Sequence, residues 1–205
     1  MDDIVPISQH EIPSAALKRA INTLQQGGVV VYPTDTAYGL AVDALSEEAI
    51  GKLFIIKKRV QKPLPVIVAS VEMLRTIAVT NPLAEKLMKK YWPGPLTIIF
   101  LKKEIVPPAL TLGLPTVGVK IPDSKVARDL VRAYGKPLTS TSANLSGTQN
   151  NYSLDDVLKQ FRDQEARPDL YLDAGILEEI PVSTVVDTTG SKIKVIREGP
   201  IHIAA

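Results

Sequence analysis

Thr34, Thr36, Lys57, Arg59, Lys62, Lys120, Ser140, Ser142, Asn144, Ser183 and Arg197 are the side chains from which this sequence can build chemistry. They fall at the ends of predicted elements, where open α/β sheets present their ligands. The set combines cations, hydroxyls and one amide. Cysteine is absent and the two histidines, His10 and His202, lie near the chain ends. Neither a thiolate nucleophile nor a His-based triad is on offer, and no zinc or other metal site is expected. Such an inventory is poor for nucleophilic hydrolysis. It suits a multiply charged anion such as a triphosphate, which fixed cations and hydroxyls neutralise and orient. Phosphoryl or nucleotidyl transfer asks mainly for positioning and charge stabilisation. No Walker A motif and no G-x-G-x-x-G occurs, so a nucleotide site here would be of an unusual type.

Spacing singles out Lys57. Ile50, Leu53, Phe54 and Lys57 follow the i, i+3, i+4, i+7 pattern, which puts Lys57 on the apolar face of a helix at its last turn. Lys58 is rotated away, Arg59 comes at or just past the helix end, and Gln61 to Pro65 is extended. Lys57 either snorkels along the apolar face to water or meets an anion. The stretch Pro137 to Gly147 is rich in hydroxyls with small residues between them. It either satisfies its own backbone through ST- and Asx-turns or packs round a polar ligand. Val29 to Leu40 starts as a β-branched strand and ends as a polar loop holding Thr34, Asp35, Thr36 and Tyr38. Pro33 ends ladder pairing, and Gly39 permits a turn or a close approach. This stretch is either an ordinary strand-to-helix turn or the wall of a site.

The elements that must position these residues alternate along the chain. Helices are predicted over Pro13 to Gln26, Ser46 to Lys58, from Ser70 to Ile77, from Asn81 to Tyr91, from Asp123 or Ser124 to Tyr134, and from Ser153 to Phe161. Leu83, Leu87 and Tyr91 are expected to face inward. Lys86, Lys89 and Lys90 face outward, as a solvated surface or an RNA contact. Strands are predicted at Val29, Pro65 to Ala69, Leu96 to Leu101, Thr116 to Ile121, Leu170 to Asp173, Ser183 to Asp187 and Lys192 to Arg197. The last two should form a hairpin. Lys102 to Pro115 reads as a plain connection and Thr148 to Tyr152 as a mobile loop. The expected fold is α/β, a twisted mixed β-sheet with helices packed on its faces. With 205 residues, 45% apolar and 22% charged, the chain suits one globular domain over residues 1–205. A net charge of +2 is too small to argue for nucleic acid by itself. No apolar run approaches ~20 residues, so no membrane association is expected. The acidic start, broken by Pro6, is not a signal peptide, and the lack of cysteine suits a cytoplasmic location.

Six motifs then carry a resemblance. They are Tyr32-Pro33-Thr34-Asp35-Thr36-Ala37-Tyr38-Gly39-Leu40; Lys57-Lys58-Arg59 with Lys62-Pro63-Leu64; Trp92-Pro93-Gly94-Pro95-Leu96-Thr97; Ser140 to Gly147; Ser183-Thr184-Val185-Val186-Asp187; and Arg197-Glu198-Gly199-Pro200-Ile201. Each is weak alone, but in this order they are specific. From about Ala15 to Ile201 the chain resembles the YrdC-type family, the threonylcarbamoyl-AMP synthases. The family's K-x-R and S-x-N pair is met by Lys57 and Arg59 and by Ser142 and Asn144.

The resemblance implies a YrdC/RibB-like domain with a concave, positively charged pocket. It implies that L-threonine, bicarbonate and ATP give threonylcarbamoyl-AMP and pyrophosphate, with Mg²⁺ on the phosphates. The product would feed t6A modification of adenosine-37 in tRNA through downstream transfer proteins. Lys57, Arg59, Ser142 and Asn144 are implied as catalytic and ATP-binding residues, with Lys62, Thr116 and Arg197 also on ATP. Thr36, Ser140 and Ser183 are implied to hold threonine, with Lys120 on its carboxylate. Two departures stand out. Lys120 stands where the family often has Arg, and Ile67 stands where it often has a polar residue, which leaves part of the threonine pocket open. Asp35 in place of the commoner Glu should be tolerated. The chain stops soon after the Arg197 strand, the expected short form. The alternatives are a module binding tRNA or double-stranded RNA, and a paralogue acting on another substrate.

Overall fold

The computed structural model describes residues 2–58 and 62–203. In chain order it begins with β1 (Ile4–Pro6), α1 (Ser14–Gln25), β2 (Val30–Pro33), β3 (Tyr38–Ala41), α2 (Glu47–Lys57) and β4 (Val66–Ile67). Then come α3 (Val71–Ile77), β5 (Ala78–Val79), α4 (Pro82–Tyr91), β6 (Leu96–Lys102), α5 (Pro108–Thr111) and β7 (Thr116–Lys120). The rest is α6 (Lys125–Tyr134), β8 (Leu138–Thr139), β9 (Thr141–Ser142), α7 (Leu154–Phe161), β10 (Leu170–Asp173), β11 (Thr184–Asp187) and β12 (Lys194–Arg197).

Helix starts follow the capping chemistry of the sequence. Ser46, Ser70, Asn81, Ser124 and Ser153 each accept a hydrogen bond from the backbone N–H three residues on. Each such bond satisfies one of the first-turn donors that a helix leaves orphaned. On α4 the fully buried stripe is Ala84, Leu87 and Met88 rather than Leu83, Leu87 and Tyr91, because Leu83 and Tyr91 lie only half-buried at its margins. Lys86, Lys89 and Lys90 are exposed as expected.

Two sheets form where one was expected. The first runs β1-β10-β2-β3-β9, the second β12-β11-β6-β7-β4-β8 with β5 on β6. Both mix parallel and antiparallel pairs, so the fold is α/β with mixed twisted sheets in a single domain. Residues 138–142 cross between them: β8 pairs with β4, and β9 pairs with β3. At the crossing, the Ser140 N–H leaves the ladder and donates to Pro65 O.

Val29 to Leu40 is a hairpin rather than a strand running into a loop. Thr34 Oγ1 accepts from the N–H groups of Thr36 and Ala37 and donates to Ala37 O at 2.6 Å. This local bonding turns the chain back, so Tyr38 to Ala41 pairs with β2. Three further differences have local causes. Ile4–Pro6 is an edge strand, the place where a proline is tolerated. The connection 102–115 contains the one-turn α5, whose first residue is Pro108. Residues 148–152 are tied down rather than loose: Asn151 O accepts from Tyr38 N–H, and Asn151 Nδ2 donates to Ala143 O at 2.7 Å.

The main core lies between the sheets. Val31, Tyr38 and Leu40 face Ile98, Phe100, Val117 and Val119, with Ile50 and Leu53 of α2 beside them. A second core fills the opposite face of the first sheet. There Val30, Tyr32, Ala41, Leu170 and Leu172 pack under α1 and α6. Ile67 belongs to this second core. It pairs with Lys120, is only 1% exposed and does not line the cleft. Among the described residues, no helix is long and apolar enough to cross a membrane.

Candidate functional site

Strand alternation decides which side chains can meet a ligand. On β6 and β7, Ile98, Phe100, Val117 and Val119 point into the core. Their neighbours Thr97, Ile99, Thr116, Gly118 and Lys120 therefore share the opposite face. The β2–β3 turn, residues 140–142 and residues 182–185 surround this face and form a cleft of about 530 Å³.

Predicted residues gather here from distant parts of the chain. Thr36, Lys62, Thr116, Lys120, Ser140, Ser142, Ser183 and Arg197 all line the cleft. Three cations and a ring of hydroxyls thus share one concavity. Thr97, Thr141, Asn150, Leu114, Val182 and Val185 also line it and were not singled out. Thr97 sits in one of the quoted motifs and on the polar phase of its strand, so its placement was readable. Asn150 carries no such signal.

Lys57 and Asn144 do not line the cleft; they stand behind its wall. With Lys57 only 1% exposed, snorkelling to water is excluded. Its ammonium donates to Ser142 O at 2.5 Å, Asn144 O at 2.8 Å and Asn144 Oδ1 at 3.1 Å. In return the Lys57 carbonyl accepts from Ser146 N–H. Asn144 Oδ1 also accepts the Ser142 hydroxyl at 2.6 Å, and Asn144 Nδ2 donates to Thr148 O. The hydroxyl-rich stretch divides its polar groups between its own backbone and the cleft. Asn144 closes on its own segment, while Ser140 and Ser142 face the cleft. Arg59 lies outside the described residues.

Lys120 already has a carboxylate. Its ammonium donates to Asp35 Oδ1 at 2.8 Å, with side-chain exposures of 5% and 8%, and reaches Ser183 Oγ at 3.4 Å. Asp35 Oδ2 accepts from Asp123 N–H. The ion pair ties the β2–β3 turn to the end of β7, and the Asp123 hydrogen bond ties it to the segment leading into α6. A ligand carboxylate at Lys120 would share the ammonium with Asp35.

Arg197 reaches the cleft from β12. Its Nε and Nη2 both donate to Ser183 O, at 3.0 and 2.6 Å. Burial pulls its pKa below the usual guanidinium value. Gly199 lets this strand close on residues 182–184: a Cβ there would stand 2.4 Å from Val182 O and 2.5 Å from Thr184 N. Any side chain would push Arg197 and Ser183 apart. Thr36 sits on the turn, its Oγ1 3.2 Å from Thr34 Oγ1.

Among the described residues, no group of three His, Cys, Asp or Glu side chains could hold a metal ion.

Comparisons with known proteins point to one family. The Sua5/YciO/YrdC family, described as telomere recombination, matches residues 22–199. A threonylcarbamoyl-AMP synthase of Pyrococcus abyssi is 35% identical over 189 residues, covering 91% of this chain and 55% of that protein. A putative threonylcarbamoyl-AMP synthase of Methanocaldococcus jannaschii is 34% identical over 202 residues, 96% of this chain and 94% of that protein. The crystal structure of P. abyssi Sua5 complexed with L-threonine superposes with a TM-score of 0.89 at 34% identity, covering 96% of this chain and 57% of that one. The chain thus spans little more than half of the archaeal Sua5 it matches and nearly all of the M. jannaschii relative.

Proposed function

The chain belongs to the Sua5/YciO/YrdC family, and on that premise we propose that it is an L-threonylcarbamoyladenylate synthase, a nucleotidyltransferase acting on ATP, L-threonine and bicarbonate. The observation that carries this reading is the lining of the cleft. Lys62, Lys120 and Arg197 stand among the hydroxyls of Thr36, Thr116, Ser140, Ser142 and Ser183, with no His or Cys. Such a site holds anions and orients polar groups; it does not attack them.

The reaction asks for that and little more. The threonine amine adds to bicarbonate-derived CO₂, losing a proton and forming a carbamate. A carbamate oxygen then attacks the α-phosphorus of ATP as the bond to the bridging oxygen breaks, and pyrophosphate leaves. No covalent enzyme intermediate is needed. The protein's share is to hold two substrates in line and to offset the charge that builds on the leaving group.

Ser142, Thr116, Lys62 and Arg197 are assigned to the nucleotide. Thr36, Ser140 and Ser183 are assigned to threonine, with Lys120 on its carboxylate. Lys57 and Asn144 contribute by holding the 142–146 segment in place. Mg²⁺ enters as part of the nucleotide, bound by its phosphates, and adds charge neutralisation there. The adenylate then serves t6A formation on tRNA, handed to separate transfer proteins. A cytoplasmic setting suits a cysteine-free chain working on tRNA precursors.

The test is direct. Protein, L-threonine, bicarbonate, Mg²⁺ and labelled ATP are mixed and pyrophosphate release is followed. Release that depends on both threonine and bicarbonate supports the synthase. Release that ignores either of them, or no release at all, overturns it.

A further inference from the structure

Tyr32 is fully buried, and among the described residues its hydroxyl has no hydrogen-bond partner. A buried phenol left in that state costs about 1–3 kcal/mol, a cost phenylalanine would avoid. The residue belongs to the second core, and its strand partner Gly39 lines the cleft. Tyr32 pairs with Gly39 across β2 and β3, and Gly39 pairs with Ser142 across β3 and β9. Directly paired residues project to the same face of a sheet. Gly39 is in the middle and lacks a side chain, so the Tyr32 ring lies across it. A Cβ at Gly39 would stand 3.1 Å from Tyr32 Cε1 and 3.3 Å from Cζ. The ring is thereby carried from β2 toward the 140–142 segment that forms one wall of the cleft. Ser140 is the hydroxyl near it. Burial raises the Tyr32 pKa, Ser140 acts against that rise, and the Asp35 carboxylate adds to it. The two hydroxyls nonetheless fall short of hydrogen-bond geometry.

We propose that Tyr32 is a positioning residue for amino-acid binding: its phenol donates to Ser140 Oγ when the ligand enters and turns the Ser140 O–H into the cleft. A serine hydroxyl has one proton to give and two lone pairs to receive. With one lone pair occupied by the phenol, its proton is directed to an oxygen of the ligand, carboxylate or hydroxyl. Tyr32 thus keeps in reserve a hydrogen bond that only the occupied site completes. The inference rests on the reading that an amino acid lies beside Ser140.

Binding of L-threonine by calorimetry tests it without requiring turnover. Tyr32→Phe should weaken threonine binding about 3- to 10-fold, the range of one neutral hydrogen bond. The melting temperature should stay level or rise, because a partnerless buried hydroxyl has been removed. ATP binding should shift by less than about 2-fold, within the scatter of a single-site change. Ser140→Ala should weaken threonine binding at least as much. The Tyr32→Phe/Ser140→Ala double variant should bind no worse than Ser140→Ala alone, because one residue acts through the other. Unchanged threonine binding in Tyr32→Phe, or fully multiplicative losses in the double variant, would overturn the role of Tyr32. A wild-type chain that binds threonine without releasing pyrophosphate would instead overturn the synthase and leave this comparison intact. No threonine binding by the wild type would overturn both.

Discussion

Replacing Lys57 by methionine should unfold the cleft wall before it harms anything else. Methionine keeps the apolar stem and removes the ammonium. Charge-assisted hydrogen bonds disappear, among them those to Ser142 O, Asn144 O and Asn144 Oδ1, each worth about 1.5–3 kcal/mol. Part of that loss is offset, because an ammonium no longer has to be stripped of water, a cost of several kcal/mol. The acceptors do not suffer equally. Ser142 O keeps the Asn144 N–H, and Asn144 Oδ1 keeps the Ser142 hydroxyl. Asn144 O loses its donor outright. The net destabilisation should be about 2–4 kcal/mol. Urea denaturation of the variant, at unchanged m-value, reads it directly. Lys58→Ala, at an exposed left-handed position with φ 48°, should cost less than about 0.5 kcal/mol. Variant protein that remains folded should show weaker ATP binding, since Ser142 is no longer held. A loss below about 1 kcal/mol in Lys57→Met, or an equal loss in Lys58→Ala, would refute the claim that the buried ammonium organises residues 142–144.

Asp35→Ala should destabilise the chain by about 3 kcal/mol, because a buried ammonium loses its carboxylate. The thermal shift caused by L-threonine should grow in that variant, the ligand's carboxylate replacing the lost one; an identical shift would separate Lys120 from the ligand. Thr36→Val removes a cleft hydroxyl at constant shape and should raise the KM for threonine more than that for ATP in steady-state assays. Equal changes would move Thr36 out of the amino-acid end. Burial pushes Tyr38 from 10.0 up to about 12 and pushes Tyr134 and Tyr171 the same way. The folded chain then binds these phenolic protons more tightly than the unfolded one. The stabilisation is therefore complete below pH 10 and lost as pH rises from 10 toward 12. Circular dichroism across that interval should show alkaline unfolding, and a flat profile would contradict it.

Local physics accounts for what the sequence determined unaided. Helix caps depend on a side chain and an N–H three residues away, so Ser46, Ser70, Asn81 and Ser153 could be placed without knowing the fold, and the structure chooses Ser124 over Asp123 for the cap of α6. The inward phase of Lys57 follows from helical spacing alone, and the structure buries it as that spacing requires. Most residues gathered in the cleft were recognisable from motif order, because the motifs sit at element ends.

Tertiary structure decided who partners whom. Lys57 meets carbonyls 85 and 87 positions away, and a backbone carbonyl carries no residue identity for a sequence to display. Asp35 finds Lys120 at a separation of 85; periodicity, which is short-ranged, says nothing of it. The split into two sheets depends on one crossing at Ser140, a matter of pairing rather than propensity. Tyr32 reads as an ordinary strand residue until the β2–β3–β9 register lays its ring across Gly39, a residue that lines the cleft. The sequence by itself determined which residue types and faces were available. Long-range register, set by packing two sheets against a shared core, decided which of them touch.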